Sequence, residues 1–241
     1  MPTLLLLLLG LVSSVANAVD GDQILRQVDR NLTPPSYEMY RKLINREPDG
    51  TKKEYVLYTA KKGRDRMVSL FLSPPTDEGR TTLRHGDNMW MYIPAVGRPL
   101  RITSLQTVVG GIFNNSDLMR LEFSVEYDAK SVGDAGNEHV LTLKAKTPAV
   151  AYDQLKMWVD KKVLLPTKIE AYASSGMLIK TLHYKKIRNF GGGIVRPSVL
   201  ETDSPLHVGY KSVMLFDRIE PRDFPDEVFT LNYMSRIKEL R

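Results

Sequence analysis

The side chains that most often perform chemistry in proteins are scarce and scattered in this sequence. Its four histidines stand at positions 85, 139, 183 and 207. This distribution lacks the i, i+4 or short-loop spacing that builds a zinc site. The chain has no cysteine, which excludes thiolate ligands, thiol nucleophiles and disulfides. We therefore predict no metal site and no cofactor, and we expect stability to come from an ordinary apolar core.

Paired carboxylates are the remaining candidates for catalysis. The pairs considered are Asp77 with Glu78 and Asp217 with Glu220. Adjacent residues of a strand point to opposite faces, and the wider pair has no supporting motif. The glycine run at 191–193 lacks the lysine and the hydroxyl residue of a phosphate-binding loop. The sequence therefore predicts a protein that is not an enzyme.

The overall charge is basic, with 34 Lys and Arg against 28 Asp and Glu, a formal net charge of +6. This excess fits a solvated basic surface, and it also fits attraction to anionic lipid headgroups or to an acidic partner. The basic residues are spread along the chain without the cluster that nucleic-acid binding needs. We predict no nucleic-acid partner and only peripheral or transient membrane contact.

The amino terminus has the pattern of an export signal. Leucine fills every position from 4 to 9, and the run ends at Ala16-Asn17-Ala18, a small-x-small cleavage site. The apolar stretch is shorter than the roughly 20 residues that span a bilayer. An uncleaved anchor is the alternative, because no Lys or Arg precedes the leucines. We predict a signal peptide at 1–18 cleaved after Ala18, a periplasmic location, and a single domain at 19–241.

The sequence predicts helical segments in three places. Residues 23–32 predict a first helix, which Asp20 or Asp22 could cap. Short helices are expected near Asp117, with Ser116 or Asn115 as the N-cap. The apolar residues between 228 and 240 indicate a terminal helix or hook.

The rest of the chain reads as strands. After Pro34-Pro35, stretches of about eight to ten residues alternate with turn signals such as Pro48-Asp49-Gly50. The segment 138–146 alternates apolar and polar residues almost regularly, which predicts a strand with one solvent-exposed face. About eleven strands result, and no linker divides them.

Several short motifs follow one another in a characteristic order. A strand ending in Pro-Pro precedes a small-residue turn, a strand carrying Trp-x-Tyr-x-Pro, an arginine-rich strand and a Ser-Asp pair. Three further segments continue this pattern in the second half of the chain. The motif residues are 71–75, 79–84, 87–94, 98–102, 116–117, 157–160, 165–170 and 174–180.

Together these motifs resemble the LolA-like outer-membrane lipoprotein-sorting superfamily, and the match is nearest to an uncharacterised branch of it. The resemblance implies a mainly β fold, a curled antiparallel sheet forming an incomplete barrel covered by short helices. It also implies an apolar cavity between the sheet and the helices. A curled sheet of about eleven strands is wider than side chains alone fill, so such a cavity is physically reasonable.

The resemblance implies a periplasmic carrier or chaperone that shields the acyl chains of a lipid or lipoprotein during envelope transport, with an inner-membrane exporter as the possible donor. The alternative is a soluble interaction subunit of that exporter, which carries no lipid. Methionine suits an adaptable wall, and Trp90 and Tyr92 share one face of their strand. The predicted cavity residues are Met67, Phe71, Trp90, Tyr92, Phe113, Leu118, Met119, Met157, Met177 and Met214. Arg98 and Arg101 are predicted to hold a lipid headgroup at the cavity mouth.

Overall fold

A computed structural model describes residues 19–241, so the predicted signal peptide lies outside the described residues. No helix within residues 19–241 has the length and apolar character needed to cross a membrane. Three short α-helices and two 3₁₀ helices accompany one large sheet. The α-helices are α1 (Gly21–Leu32), α2 (Asn115–Leu118) and α3 (Phe123–Glu126). The 3₁₀ helices Asp226–Phe229 and Leu231–Leu240 form a C-terminal hook.

The sheet contains 13 strands, and every neighbouring pair is antiparallel. The predicted incomplete barrel is confirmed, with two strands more than the expected eleven. The strands are β1 (Ser36–Arg46), β2 (Lys52–Lys62), β3 (Arg66–Ser73), β4 (Thr81–His85), β5 (Asn88–Tyr92), β6 (Pro99–Ile102), β7 (Tyr127–Ala135), β8 (Glu138–Ala145), β9 (Gln154–Asp160), β10 (Pro166–Tyr172), β11 (Leu178–Asn189), β12 (Val195–Asp203) and β13 (Lys211–Pro221).

The order of the strands explains why the barrel stays open. The spatial order is β6-β5-β4-β3-β2-β1-β13-β12-β11-β10-β9-β8-β7, so the sheet ends at β6 and β7 without joining them. In chain order, the first strand, β1, lies in the middle of the sheet, and the following strands proceed outward to β6. The chain then crosses to the opposite edge through the crossing segment (residues 103–126) and returns inward to β13. The crossing segment therefore links the two open edges.

Strand β7 is the element that sequence patterning missed. Only its first residue, Tyr127, is buried, and the segment contains Gly133 and small or charged residues. It pairs with β8 alone at the sheet edge, so no alternating apolar face marks it. In β8 the predicted alternation is confirmed, since Leu141 and Leu143 are buried and Lys144 is exposed.

Helix capping follows simple rules at both predicted places. The Asp20 side chain accepts hydrogen bonds from the backbone N–H groups of Asp22 and Gln23, which starts α1. The sequence analysis predicted Ser116 or Asn115 as the cap of α2, and this prediction is wrong because Asn114 is the N-cap. Asn114 and Asp117 form a reciprocal capping box, which fixes the helix start one residue earlier.

Apolar residues form one cluster on each face of the sheet. The inner cluster joins α1 and the crossing segment to the concave face, with Leu25 and Phe113 fully buried. The outer cluster lies on the opposite face, where Val228 and Ile237 of the C-terminal hook cover Leu83. Asp226 of the hook also contacts Arg66 at 3.0 Å. The predicted terminal hook is thus a structural cover for the outer face.

The hook should contribute to stability through its buried side chains. Ile237 is fully buried, whereas Leu231 of the same 3₁₀ helix is 41% exposed. We expect Ile237→Ala to lower the free energy of unfolding by about 2–5 kcal/mol, because it leaves a cavity in the outer cluster. Leu231→Ala should change it by less than about 0.5 kcal/mol. Urea unfolding measures both, and equal losses would contradict this role of the hook.

Candidate functional site

A cavity lies between the inner face of the sheet and its cover, which consists of α1 and the second part of the crossing segment. Its volume is about 70 Å³. At roughly 10–15 Å³ for one water molecule, this volume holds about five to seven. The wall residues are Asp29, Leu32, Thr33, Tyr37, Met39, Arg41, Met67, Asp117, Leu118, Arg120, Leu121, Glu122, Phe123, Tyr184, Arg196, Leu200, Met214 and Phe216.

Helix α1 is attached to its neighbours by buried polar bonds as well as by apolar packing. The Asp29 carboxylate accepts hydrogen bonds from the backbone N–H groups of Phe123 at 2.7 Å and Ser124 at 2.9 Å. Burial raises the pKa of Asp29, and these backbone donors oppose the rise. Asp29 thereby satisfies the first N–H groups of α3. The two parts of the cover are joined through this one carboxylate.

Asp117 is the centre of a buried network at the inner end of the cover. Its side chain is 1% exposed and accepts hydrogen bonds from Lys180 Nζ at 2.9 Å and Tyr152 Oη at 3.0 Å. Arg120 contacts it at 3.1 Å. Burial raises the pKa of Asp117, but Lys180 and Arg120 outweigh burial and hold the pKa below its ordinary value of 3.8. The carboxylate is therefore a charged anchor between α2 and β11.

A second buried ion pair attaches the cover to β4. Arg84 and Glu126 approach to 2.6 Å, with side chains 4% and 3% exposed. Arg84 also donates a hydrogen bond to the backbone carbonyl of Met119 at 3.0 Å. Removing one partner of such a buried pair strongly lowers the free energy of unfolding, because the other charge stays buried without a counter-charge. The position of the segment around α2 and α3 is thus fixed by charge pairs on both sides.

Two further arginines of the wall have a different environment. Arg41 of β1 and Arg196 of β12 are 4% and 5% exposed. The guanidinium of Arg196 lies 4.5 Å from the ring centre of Phe216 and donates to the backbone carbonyl of Leu32 at 2.8 Å. Arg41 donates to the Ser69 hydroxyl at 3.3 Å. Both arginines contact uncharged partners in the cavity wall.

The structure gathers part of the predicted cavity set. Met67, Leu118 and Met214 line the cavity. Four more residues are buried in the inner cluster behind the wall, so they support the cavity without lining it: Phe71, Phe113, Met119 and Met157.

Three predicted cavity residues are elsewhere. Trp90 and Tyr92 pack against the outer cluster, while Met89 of the same strand belongs to the inner cluster. Trp90 and Tyr92 do not line this cavity, because the pleat of β5 turns them toward the outer face. Met177 is 51% exposed in the turn before β11. Only the register of β5 decided which face of that strand points inward.

The predicted headgroup arginines are also away from the cavity. Arg98 is exposed in the turn between β5 and β6. Arg101 of β6 is exposed and lies over the Trp90 ring, 5.0 Å from its centre, on the outer side of the sheet. Neither residue lines the cavity, whose wall comes from other elements.

Sequence reasoning missed the arginines that do line the cavity. In β1 the buried positions Tyr37, Met39, Arg41 and Leu43 alternate, so Arg41 occupies a place where the pattern calls for an apolar residue. Arg196 similarly lies on the same face of β12 as the buried Leu200. A charged residue at an inward position of an otherwise apolar strand face is the signal that could have found both.

The Asp117 network predicts a pH-dependent stability. We expect Asp117→Asn to lower the free energy of unfolding by about 3–5 kcal/mol at neutral pH, because Lys180 and Arg120 lose their buried counter-charge. The pKa of Asp117 is lowered by folding, so its contribution is present above its ordinary value of 3.8 and is lost as the pH falls through the folded-state value.

Denaturant unfolding of wild type and Asp117→Asn between neutral and acid pH measures this difference. The gap between the two proteins should shrink below about pH 4. The matched control is Asp217→Asn, whose side chain is 82% exposed, and it should shift stability by less than about 0.5 kcal/mol. A gap that stays constant into strong acid would contradict the charged anchor.

Comparison with known proteins places this geometry in a family. The family model described as "Uncharacterized protein" matches residues 63–236. A LolA superfamily protein from Nitrosomonas europaea is 27% identical with a TM-score of 0.80, over 90% of this chain and 100% of that one. Comparison with curated proteins gave no match.

Two other solved structures share the fold at lower identity. A putative outer membrane lipoprotein-sorting protein domain from Vibrio parahaemolyticus has a TM-score of 0.74 at 18% identity, over 90% of this chain and 98% of that one. A DUF1329 family protein from Desulfovibrio piger has a TM-score of 0.76 at 19% identity, over 89% and 97%. The chain belongs to the family whose model matches residues 63–236, described as "Uncharacterized protein", within the LolA superfamily.

Proposed function

We propose that the protein is a periplasmic carrier that shields acyl chains of a lipid or lipoprotein between membranes. The observation that carries the proposal is a cavity covered by α1 and the crossing segment and walled by Met39, Met67, Met214, Leu118 and Phe216. Methionine is unbranched and polarizable, so these side chains can repack around a flexible hydrocarbon. The wall is suited to apolar cargo of variable shape.

The energy for such carriage comes from removing hydrocarbon from water. Each buried methylene contributes about 0.8 kcal/mol before ordering costs. The present cavity of about 70 Å³ is too small for a whole acyl chain. Loading therefore requires α1 to move outward from the sheet. The contacts that must break include the hydrogen bonds of Asp29 and the bond from Arg196 to Leu32. They also include the bond from the Ala129 N–H to Asp22 and those from Asn31 to the carbonyls of Val163 and Leu164.

The proposed location and partners follow from the amino terminus and the relatives. The leucine-rich start and Ala16-Asn17-Ala18 favour export with cleavage after Ala18. A relative with the same fold is described as a lipoprotein-sorting protein domain. We place this protein between an inner-membrane exporter, which supplies the cargo, and an acceptor, with transient membrane contact. Its action is binding and release without covalent chemistry.

A second candidate is a soluble interaction subunit of an exporter that carries no lipid. The small cavity volume is the observation that favours it. In that case the side chains of the wall fill the interior, and the sheet serves as a docking scaffold. Lipid content separates the two candidates. Protein purified from a bacterial periplasm and extracted with organic solvent should release stoichiometric lipid, seen by mass spectrometry, only if it is a carrier.

Filling the cavity should block binding. We expect Met214→Trp to weaken binding of a fluorescent fatty acid at least tenfold, because the larger ring occupies the space beside Met67 and Phe216. Fluorescence titration measures the affinity, and circular dichroism confirms that the variant folds.

The matched control is Met177→Trp, the same substitution at an exposed turn. It should keep wild-type affinity. If wild type binds neither fatty acid nor phospholipid, carriage is wrong and the interaction subunit is the better description.

A further inference from the structure

Arg41 and Arg196 form a buried pair of positive charges without a carboxylate partner. Within residues 19–241, no carboxylate oxygen lies within 4.0 Å of either guanidinium. Both side chains are more than nine-tenths buried and line the cavity. Arginine keeps its proton at neutral pH. Two formal charges therefore face an interior space where charge is normally paired.

The two arginines are close neighbours across three strands. Phe216 of β13 is the cross-strand partner of Arg41 in β1, and the Arg196 guanidinium stacks on the same Phe216 ring at 4.5 Å. Burial lowers the pKa of Arg41 to about 10, with Tyr37 opposing this shift and the nearby charge of Arg196 adding to it. The pair thus produces a local positive potential beside Phe216.

The carboxylates of the cavity wall do not neutralise this pair, because each is held by other groups. Asp117 is engaged by Lys180 and Arg120. Asp29 accepts two backbone N–H groups of α3. Glu122 pairs with Arg64 at 2.6 Å.

Both guanidinium groups keep unused hydrogen-bonding capacity. Each has five N–H donors in a planar fork. Among the described residues, the hydrogen-bond acceptors of Arg41 are the Ser69 hydroxyl at 3.3 Å and the Met214 sulfur at 3.7 Å, and its Nε has none. Arg196 donates to the carbonyls of Leu32 at 2.8 Å and Pro197 at 3.4 Å. The remaining N–H groups suit an oxyanion, which the guanidinium fork binds bidentately.

We infer that Arg41 and Arg196 bind the oxyanion head, a carboxylate or a phosphate, of an amphiphile whose tail contacts the methionines of the same cavity. The inference rests on the proposed function and adds the chemical class of the cargo. Met39 and Met214 line the cavity together with Arg41 and Arg196, so charged head and apolar tail have adjacent places. The anion supplies the missing counter-charge, and this distinguishes acidic amphiphiles from uncharged ones.

The experiment compares palmitic acid with hexadecanol, which share a tail and differ in the charge of the head. The affinity of each compound is measured by its displacement of a fluorescent fatty-acid probe from delipidated wild-type protein. We expect wild type to bind the acid at least about tenfold more tightly than the alcohol, the effect of a charge-assisted hydrogen-bonded pair. Arg41→Met and Arg196→Met should each bring the two affinities together. Arg188→Met, which removes an exposed arginine of β11, should keep the preference.

A measurement on wild type alone covers the case in which the variants do not fold. Palmitic acid carrying ¹³C at its carboxyl carbon is bound to the protein and titrated by NMR. Two arginines should hold the pKa of the bound carboxyl below its value in buffer, because an opposite charge favours the ionised form. A raised pKa would show a carboxyl buried without counter-charge and would overturn the inference.

The outcomes separate the inference from the proposed function. Equal affinities for acid and alcohol overturn the role of Arg41 and Arg196 and leave carriage standing. If wild type binds neither palmitic acid nor hexadecanol and also fails to bind phospholipid, carriage is refuted, and the inference with it. Isothermal titration with inorganic phosphate tests whether the oxyanion that the two arginines bind is a free anion rather than a lipid headgroup. Phosphate binding that Arg41→Met abolishes, combined with equal affinities for acid and alcohol, would assign the arginines to a free ion and overturn the inference.

Discussion

The open edges of the sheet impose the constraint on which the rest of this structure depends. Strands β6 and β7 each pair on one side only, so the inner apolar face is not sealed by the sheet itself. Another part of the chain has to cover it, and the crossing segment does so while it connects the two edges. Helix α1 covers the remainder through Leu25 and Val28, which are fully buried. A curved sheet and a straight short helix do not match in shape, and a cavity results between them.

Buried charged groups attach the cover in addition to its apolar packing. Asp29 joins α1 to α3, Asp117 joins α2 to β11, and Glu126 joins α3 to β4. Directional pairs of this kind specify one position, whereas apolar contact alone tolerates sliding. The crossing segment is held on two sides, by Lys180 and by Arg84. Helix α1 is held by hydrogen bonds of Asp22, Asp29, Asn31 and Leu32, and among the described residues it makes no ion pair with the sheet or the crossing segment.

The distribution of charge is more informative than its total. The net charge of +6 belongs largely to exposed residues, many of them in ion pairs such as Lys185 with Glu201. Exposed pairs of this kind contribute little stability. Arg41 and Arg196 differ because they are buried beside Phe216 and contact only neutral groups. Burying charge without a partner lowers stability, so their position is better explained by binding than by folding.

The sequence by itself determined most of the secondary structure and the family. Turn signals and alternation located the central strands, helical spacing located α1, and the ordered motifs indicated the LolA-like superfamily. Strand β7 was missed because an edge strand with one buried residue has no periodic pattern.

The candidate site was predicted only in part, since Met67, Leu118 and Met214 line the cavity but Trp90, Tyr92, Met177, Arg98 and Arg101 do not. Alternation divides a strand into two faces, and it does not say which face is inside. That choice depends on which distant segments cover each face. Here the C-terminal hook covers the side of Trp90, and α1 with the crossing segment covers the side of Arg41. Only the tertiary structure, through these long-range contacts, decided which arginines face the cavity.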